Sequence, residues 1–85
     1  MLHEVYAIRD SKAEMFHPPF LQKAKGEAER TFKQLANDPQ TSVGSFPEDY
    51  DLYYVGKFDD NSGLYSLLDS PKHQLKAINV LTPKN

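Results

Sequence analysis

Eighty-five residues provide for one domain with a modest core, whose stability on the usual per-residue scale is about 4–13 kcal/mol. The absence of cysteine excludes a disulfide framework, thiolate zinc and a cysteine nucleophile, and a 39% hydrophobic content with five Tyr and five Phe is that of a globular chain rather than a disordered one. A net charge of −2 argues against a simple polyanion binder, but the charges are segregated: residues 1–36 hold six Lys/Arg and five Asp/Glu, residues 37–70 one and seven, and residues 71–85 three and none. Local field rather than pI attracts phosphate, so a basic face on an acidic protein remains open.

The opening MLHEVYAIRD carries Glu4 and Asp10 and no long apolar run, which reads as neither a signal peptide nor a membrane span and leads to the expectation of a soluble intracellular protein. Within it, Val5, Tyr6, Ala7 and Ile8 form a β-prone run ended by Asp10-Ser11-Lys12, predicting a strand over Leu2 to Arg9 and a turn. Glu14 to His17 is a short returning strand, and Pro18-Pro19 closes the ladder because neither residue donates a backbone hydrogen bond. From Lys23 to Asn37 the period becomes helical: Ala24, Ala28, Phe32, Leu35 and Ala36 form one stripe, with Lys23, Arg30, Lys33, Gln34 and Asn37 facing away. The pairs Glu29/Lys33 and Glu27/Arg30 are spaced to support the helix, and Asn37-Asp38-Pro39 ends it.

Pro39 to Asp49 reads as a loop. Asp51 to Asp59 is β-prone, with Leu52, Tyr54, Gly56 and Phe58 on one side and Tyr53, Val55 and Lys57 on the other. Asp60-Asn61-Ser62-Gly63 supplies a turn, and Leu64 to Leu68 is the partner strand. Gln74 to Leu81 fits either a helical turn or a last strand, and 82–85 is expected to be a flexible tail following a single domain over 1–81. The order β-β-α-β-β plus an undecided last element predicts an α+β domain: a small antiparallel sheet of four to five strands covered by one amphipathic helix.

No motif carries a reaction. Asp59, Asp60, Asn61 and Ser62 offer oxygen donors, but counting twelve positions from Asp59 or Asp60 reaches Ser70 or Pro71 instead of the acid that a calcium loop needs. His3, His17 and His73 stand in no metal or triad spacing, and no Gly-rich phosphate loop is present, so a non-enzymatic protein with no metal and no cofactor is expected. Two surfaces stand out. Lys23, Arg30 and Lys33 on the helix, joined by Lys72 and Lys76 if the C-terminal segment folds back, are candidate contacts to a DNA backbone. Tyr6, Phe16, Tyr53 and Tyr65 fall on strands, and because one helix covers only one sheet face, such rings are candidates for stacking unpaired bases or for a homodimer interface. The strand Asp51 to Asp59 is the expected dimer seam.

The order and spacing of DSKA, PPF, KGEA, PEDY and GKFDD, spread between Val5 and about Leu81, resemble the small nonstructural protein of the gokushovirus group of microviruses, phages with circular single-stranded DNA genomes. The resemblance implies a DNA-associated factor of the host cytoplasm, compared with protein C of the phiX-type phages, that joins the replication complex and favours single-strand synthesis coupled to packaging. It brings no catalytic motif. The partner implied is single-stranded DNA or the viral replication complex, the alternative being a protein-interaction module directed at a host or viral protein.

Overall fold

A computed structural model describes residues 1–83. Strand β1 (Leu2–Asp10) lies inside a five-stranded antiparallel sheet, pairing on one edge with the short β2 (Met15–Phe16) and β3 (Phe20–Gln22) and on the other with β4 (Tyr50–Asp59), which in turn pairs with β5 (Leu64–Lys76). Helix α1 (Lys25–Ala36) follows β3, and the short helix α2 (Ser42–Ser45) with a 3₁₀ turn at Pro47–Asp49 leads into β4. A second 3₁₀ turn, Ala77–Val80, follows β5.

Alternation along the strands decides what is buried. Tyr6 and Ile8 of β1 and Tyr50 and Leu52 of β4 point to the helix side, where they meet Ala28, Phe32 and Ala36 of α1, Val43 of α2 and Ala77. The 3.6-residue stripe expected for the helix is thus the stripe that packs, with Leu35 partly buried beside it. Asn37 fastens the end of the chain to this layer: its amide donates to the Val80 carbonyl at 3.0 Å and its oxygen accepts from the Thr82 backbone N–H at 2.7 Å. Of the tail expected over 82–85, Lys84 and Asn85 lie outside the described residues.

Several local expectations are corrected. Pro18-Pro19 interrupts the edge ladder without ending it, because two residues without N–H donors are tolerated between two edge segments and β3 resumes pairing at Tyr6↔Phe20. Pro39 to Asp49 contains α2, whose Thr41 hydroxyl accepts from the Gly44 N–H at 3.0 Å. Strand β5 continues past Pro71 to Lys76, a position open to proline on an edge strand. The undecided 74–81 segment divides between the end of that strand and the 3₁₀ turn. Lys23 precedes α1 instead of riding on it, and the helical ion pair observed is Lys25–Glu29, at 4.0 Å, rather than either expected pair.

The largest correction concerns the two sides of β4. Tyr54 faces Tyr6, but Gly56 faces Val5, so Val55 is an extra residue in β4. A bulge reverses the alternation beyond it. Lys57 therefore joins the side of Leu52 and Tyr54, while Gly56 and Phe58 join the side of Tyr53. Gly56 has φ +150° and lies against the backbone of Ser66 and Leu67, a place where only a residue without Cβ fits.

Candidate nucleic-acid interface

Residues opposite one another in a ladder share a face. On the side away from α1, the registers assemble four rows across the sheet: His3–Phe58–Tyr65, Leu21–Val5–Gly56–Leu67, Ala7–Tyr53–His73, and Phe16–Arg9–Asp51–Lys76. The small or aliphatic residues Val5, Ala7 and Gly56 form a buried floor between two groups of rings. In one group, Tyr53 stands edge-on between Phe16 (5.2 Å between centroids) and His73 (5.3 Å). In the other, Phe58 lies 4.8 Å from Tyr65 and 6.4 Å from His3. Phe16 and Tyr65 keep 39% and 54% of their surface exposed, which leaves ring available to a ligand.

Charge is placed beside the first ring group. The Arg9 guanidinium lies 5.9 Å from the Phe16 ring centre, a cation–π arrangement that holds a positive group at the rim. Asp51 is the neighbouring acid, with His73 Nε2 at 2.6 Å and Lys76 Nζ at 3.7 Å from it. At the opposite end of the face, Asp60 lies 2.8 Å from both His3 Nε2 and the Met1 amine. The amine and His3, by hydrogen bonding to it, hold the Asp60 carboxyl below the usual range, and the Asn61 backbone N–H does the same for Asp59. Among the described residues no group of three or more His, Cys, Asp or Glu side chains converges.

The expected site residues separate into distinct places. Phe16, Tyr53 and Tyr65 share the open face, as does Lys76. Tyr6 does not: it is 2% exposed, faces the helix and packs on Phe20 and Tyr54, because position 6 alternates with the floor residues Val5 and Ala7. It cannot stack on a base. Arg30 and Lys33 lie on the solvent side of α1 and join neither ring group. Lys23 and Lys72, distant in sequence, come together with Lys25 around a groove of about 350 Å³ on the helix side, which Glu4, Tyr6, Tyr54 and Gln74 also line. There Lys57, 2.6 Å away, and then Tyr54 hold the Glu4 carboxyl below its ordinary range; burial, reinforced by Glu4, pushes the Tyr54 hydroxyl up to about 12. Both edges of β4 are taken by β1 and β5, so only its faces are free for the dimer seam expected along it, and Tyr53 lies on the open one.

Arg9 and Phe58 escape a reading by residue type. Arg9 looks like the end of a strand, and strict alternation puts Phe58 on the side of Leu52 and Tyr54 instead of that of Tyr53. A glycine within a strand was the available signal for the bulge.

A helix-backed antiparallel sheet with rings and cations on its free side defines a small α+β domain. The chain belongs to the Phage ORF5 protein family, whose profile matches residues 3–80. No curated protein and no solved structure matches it. No helix among the described residues is long and apolar enough to cross a membrane.

Proposed function

We propose that this phage protein is a non-enzymatic factor that binds single-stranded DNA across the open face of its sheet and acts in the replication and packaging of a gokushovirus-type genome in the host cytoplasm. The observation that carries this reading is the pair of ring groups on that face, Phe16–Tyr53–His73 and His3–Phe58–Tyr65. Unpaired bases stack on such rings with little regard to sequence, and Arg9 and Lys76 stand where backbone phosphates would pass. The resemblance to the gokushovirus nonstructural proteins supplies the biological setting. With two cationic contacts, the slope of log affinity on log salt is about −1.4, at roughly −0.7 per phosphate on a single strand. Fluorescence polarisation of a labelled oligo-dT at two salt concentrations tests the reading. Tyr53→Ala and Tyr65→Ala should each weaken binding by about 1–3 kcal/mol, the usual worth of one stacked base. Absence of binding at low salt, or equal binding by the double variant, overturns it.

A second reading has its own observation. Strand β5 is a sheet edge, and its outer half exposes Leu64, Leu67 and Leu68 with Tyr65 and only one charge, Asp69. Long apolar edges are surfaces for strand addition. A protein partner, with a second copy of this chain as the simplest, would be recognised there, leaving the ring groups as structural supports.

A further inference from the structure

The groove on the helix side is lined by polar and basic groups that the open-face reading does not use. Helix α1 begins there without a side-chain cap, since its N-cap is Ala24. The Glu27 and Ala28 N–H groups turn back to the Ala24 carbonyl, at 3.2 and 3.4 Å, leaving those of Lys25 and Gly26 without such a bond. Nothing stands within 4 Å of where a Gly26 side chain would start, so the approach to this end of the helix is open. Unpaired N–H groups at a helix start, with the positive end of its dipole, favour an anion.

Tyr6 supplies an independent indication. Tyr6 is only 2% exposed, and burial and nearby charges rather than any hydrogen bond set the behaviour of its hydroxyl. No fully buried side-chain oxygen or nitrogen lacks a partner. The Tyr6 oxygen must therefore reach the groove that Tyr6 lines. An O–H donor that lines a groove together with a helix start and three lysines can donate to an anion bound there.

The charges around the groove agree. Glu4 is the acid within it, and Lys57 already occupies its carboxylate at 2.6 Å. Glu29 reaches only Lys25, at 4.0 Å. Lys23 and Lys72 make no ion pair among the described residues. We infer that this groove is a binding site for a phosphate monoester, held by Lys23, Lys25 and Lys72, the first N–H groups of α1 and the Tyr6 hydroxyl. Such a group carries about −1.5 to −2 charge at neutral pH with three strong acceptor oxygens, which suits convergent cations better than the single charge of an internal phosphodiester. A volume of about 350 Å³ falls at the small end of ligand sites, roughly 300–1,000 Å³, and has room for a nucleotide but not a long chain.

The two sources of that chemistry are a free deoxynucleoside monophosphate and the phosphorylated end of a DNA strand. Titration of the full chain, followed by amide chemical shifts, with inorganic phosphate, with thymidine monophosphate and with oligo-dT bearing or lacking a 5′-phosphate separates them. Saturable shifts at Ala24, Lys25 and Gly26 are expected with phosphate and with either phosphorylated ligand, and stronger binding of the phosphorylated oligonucleotide than of the monophosphate would identify the strand end. Tyr6→Phe keeps the ring in the core and should fold as the parent does while binding phosphate about tenfold or more weakly, the usual effect of losing a hydrogen bond to a charged group. Lys72→Gln should weaken it severalfold. The variant Tyr53→Ala/Tyr65→Ala should retain phosphate binding, because those rings lie on the other side of the sheet. Thymidine and unphosphorylated oligo-dT should leave the groove amides unshifted. The inference is overturned if phosphate leaves these amides unshifted in the parent protein, or if Tyr6→Phe and Lys72→Gln bind it as tightly as the parent.

Discussion

Gly56→Ala tests the feature that puts Tyr53 and Phe58 on one side of the sheet. A Cβ at this position would start 2.4 Å from the Ser66 carbonyl oxygen and 2.8 Å from the Leu67 Cα, both backbone atoms of the paired strand, and φ of +150° is a conformation that L side chains rarely adopt. Forcing an unfavourable backbone geometry costs about 1–3 kcal/mol and inserting a methyl where no space exists about 1–3 kcal/mol more. The sum, about 2–6 kcal/mol, is a large share of the 4–13 kcal/mol expected for a chain of this length. Equilibrium urea unfolding followed by far-ultraviolet circular dichroism should show a midpoint lower by about 1 M or more, given slopes of roughly 1–3 kcal/mol per molar urea. Gly26→Ala is the control: it has open space around it, sits in the first turn of α1 and should unfold at the same or a higher urea concentration. If Gly56→Ala unfolds with the parent midpoint, the close approach of β4 and β5 is absent and the reversal of alternation at Val55 is wrong.

Phe32→Ala, at a position with no exposed surface, should cost about 3–5 kcal/mol and leave little cooperative unfolding at 25 °C; a sharp transition near the parent midpoint would show that α1 does not cover the sheet. Asp10 accepts from the Ala13 and Lys12 backbone N–H groups and from the Tyr50 hydroxyl, and the Ala13 contact leads in holding its carboxyl below the ordinary range. A depressed native pKa contributes stability that is present above about pH 4 and is lost as the pH falls through the native value, so Asp10→Asn should flatten the fall of the urea midpoint between pH 5 and 2, and an unchanged slope would contradict this. If β5 edges meet in a dimer, sedimentation equilibrium across micromolar concentrations should show a mass above that of the monomer, and Leu67→Glu should lower it, since an unpaired charge is costly to desolvate; a strictly monomeric parent removes the dimer.

What could be read in the sequence was what depends on local period. The Val5–Ile8 run, the Ala28–Phe32–Ala36 stripe and the turn at Asp60–Gly63 each carry their signal within a few residues, and each forms where expected. The elements that were missed depend on neighbours. Phe20–Gln22 is too short to announce itself and is a strand because β1 leaves its edge free beside it. Residues 68–71 stand in β5 opposite Val55 alone, an insertion in β5 that carries the strand through Pro71 and shows only in the pairing. That bulge also decided the candidate site: Tyr53 and Tyr65 were legible as strand aromatics, whereas their shared face with Phe58 and Arg9 required the register. The groove brings together Lys23, Lys72 and Tyr6, which no spacing in the chain connects.

The central claim is that the open sheet face receives a single strand, and mapping amide chemical shifts of the labelled protein during titration with an unphosphorylated oligo-dT at low salt tests it most directly. The account predicts progressive, salt-sensitive shifts at Arg9, Phe16, Tyr53, Phe58, Tyr65 and His73, with Arg30 and Lys33 on the outer side of α1 unmoved. Shifts confined to α1, or none at all at millimolar DNA, would contradict it.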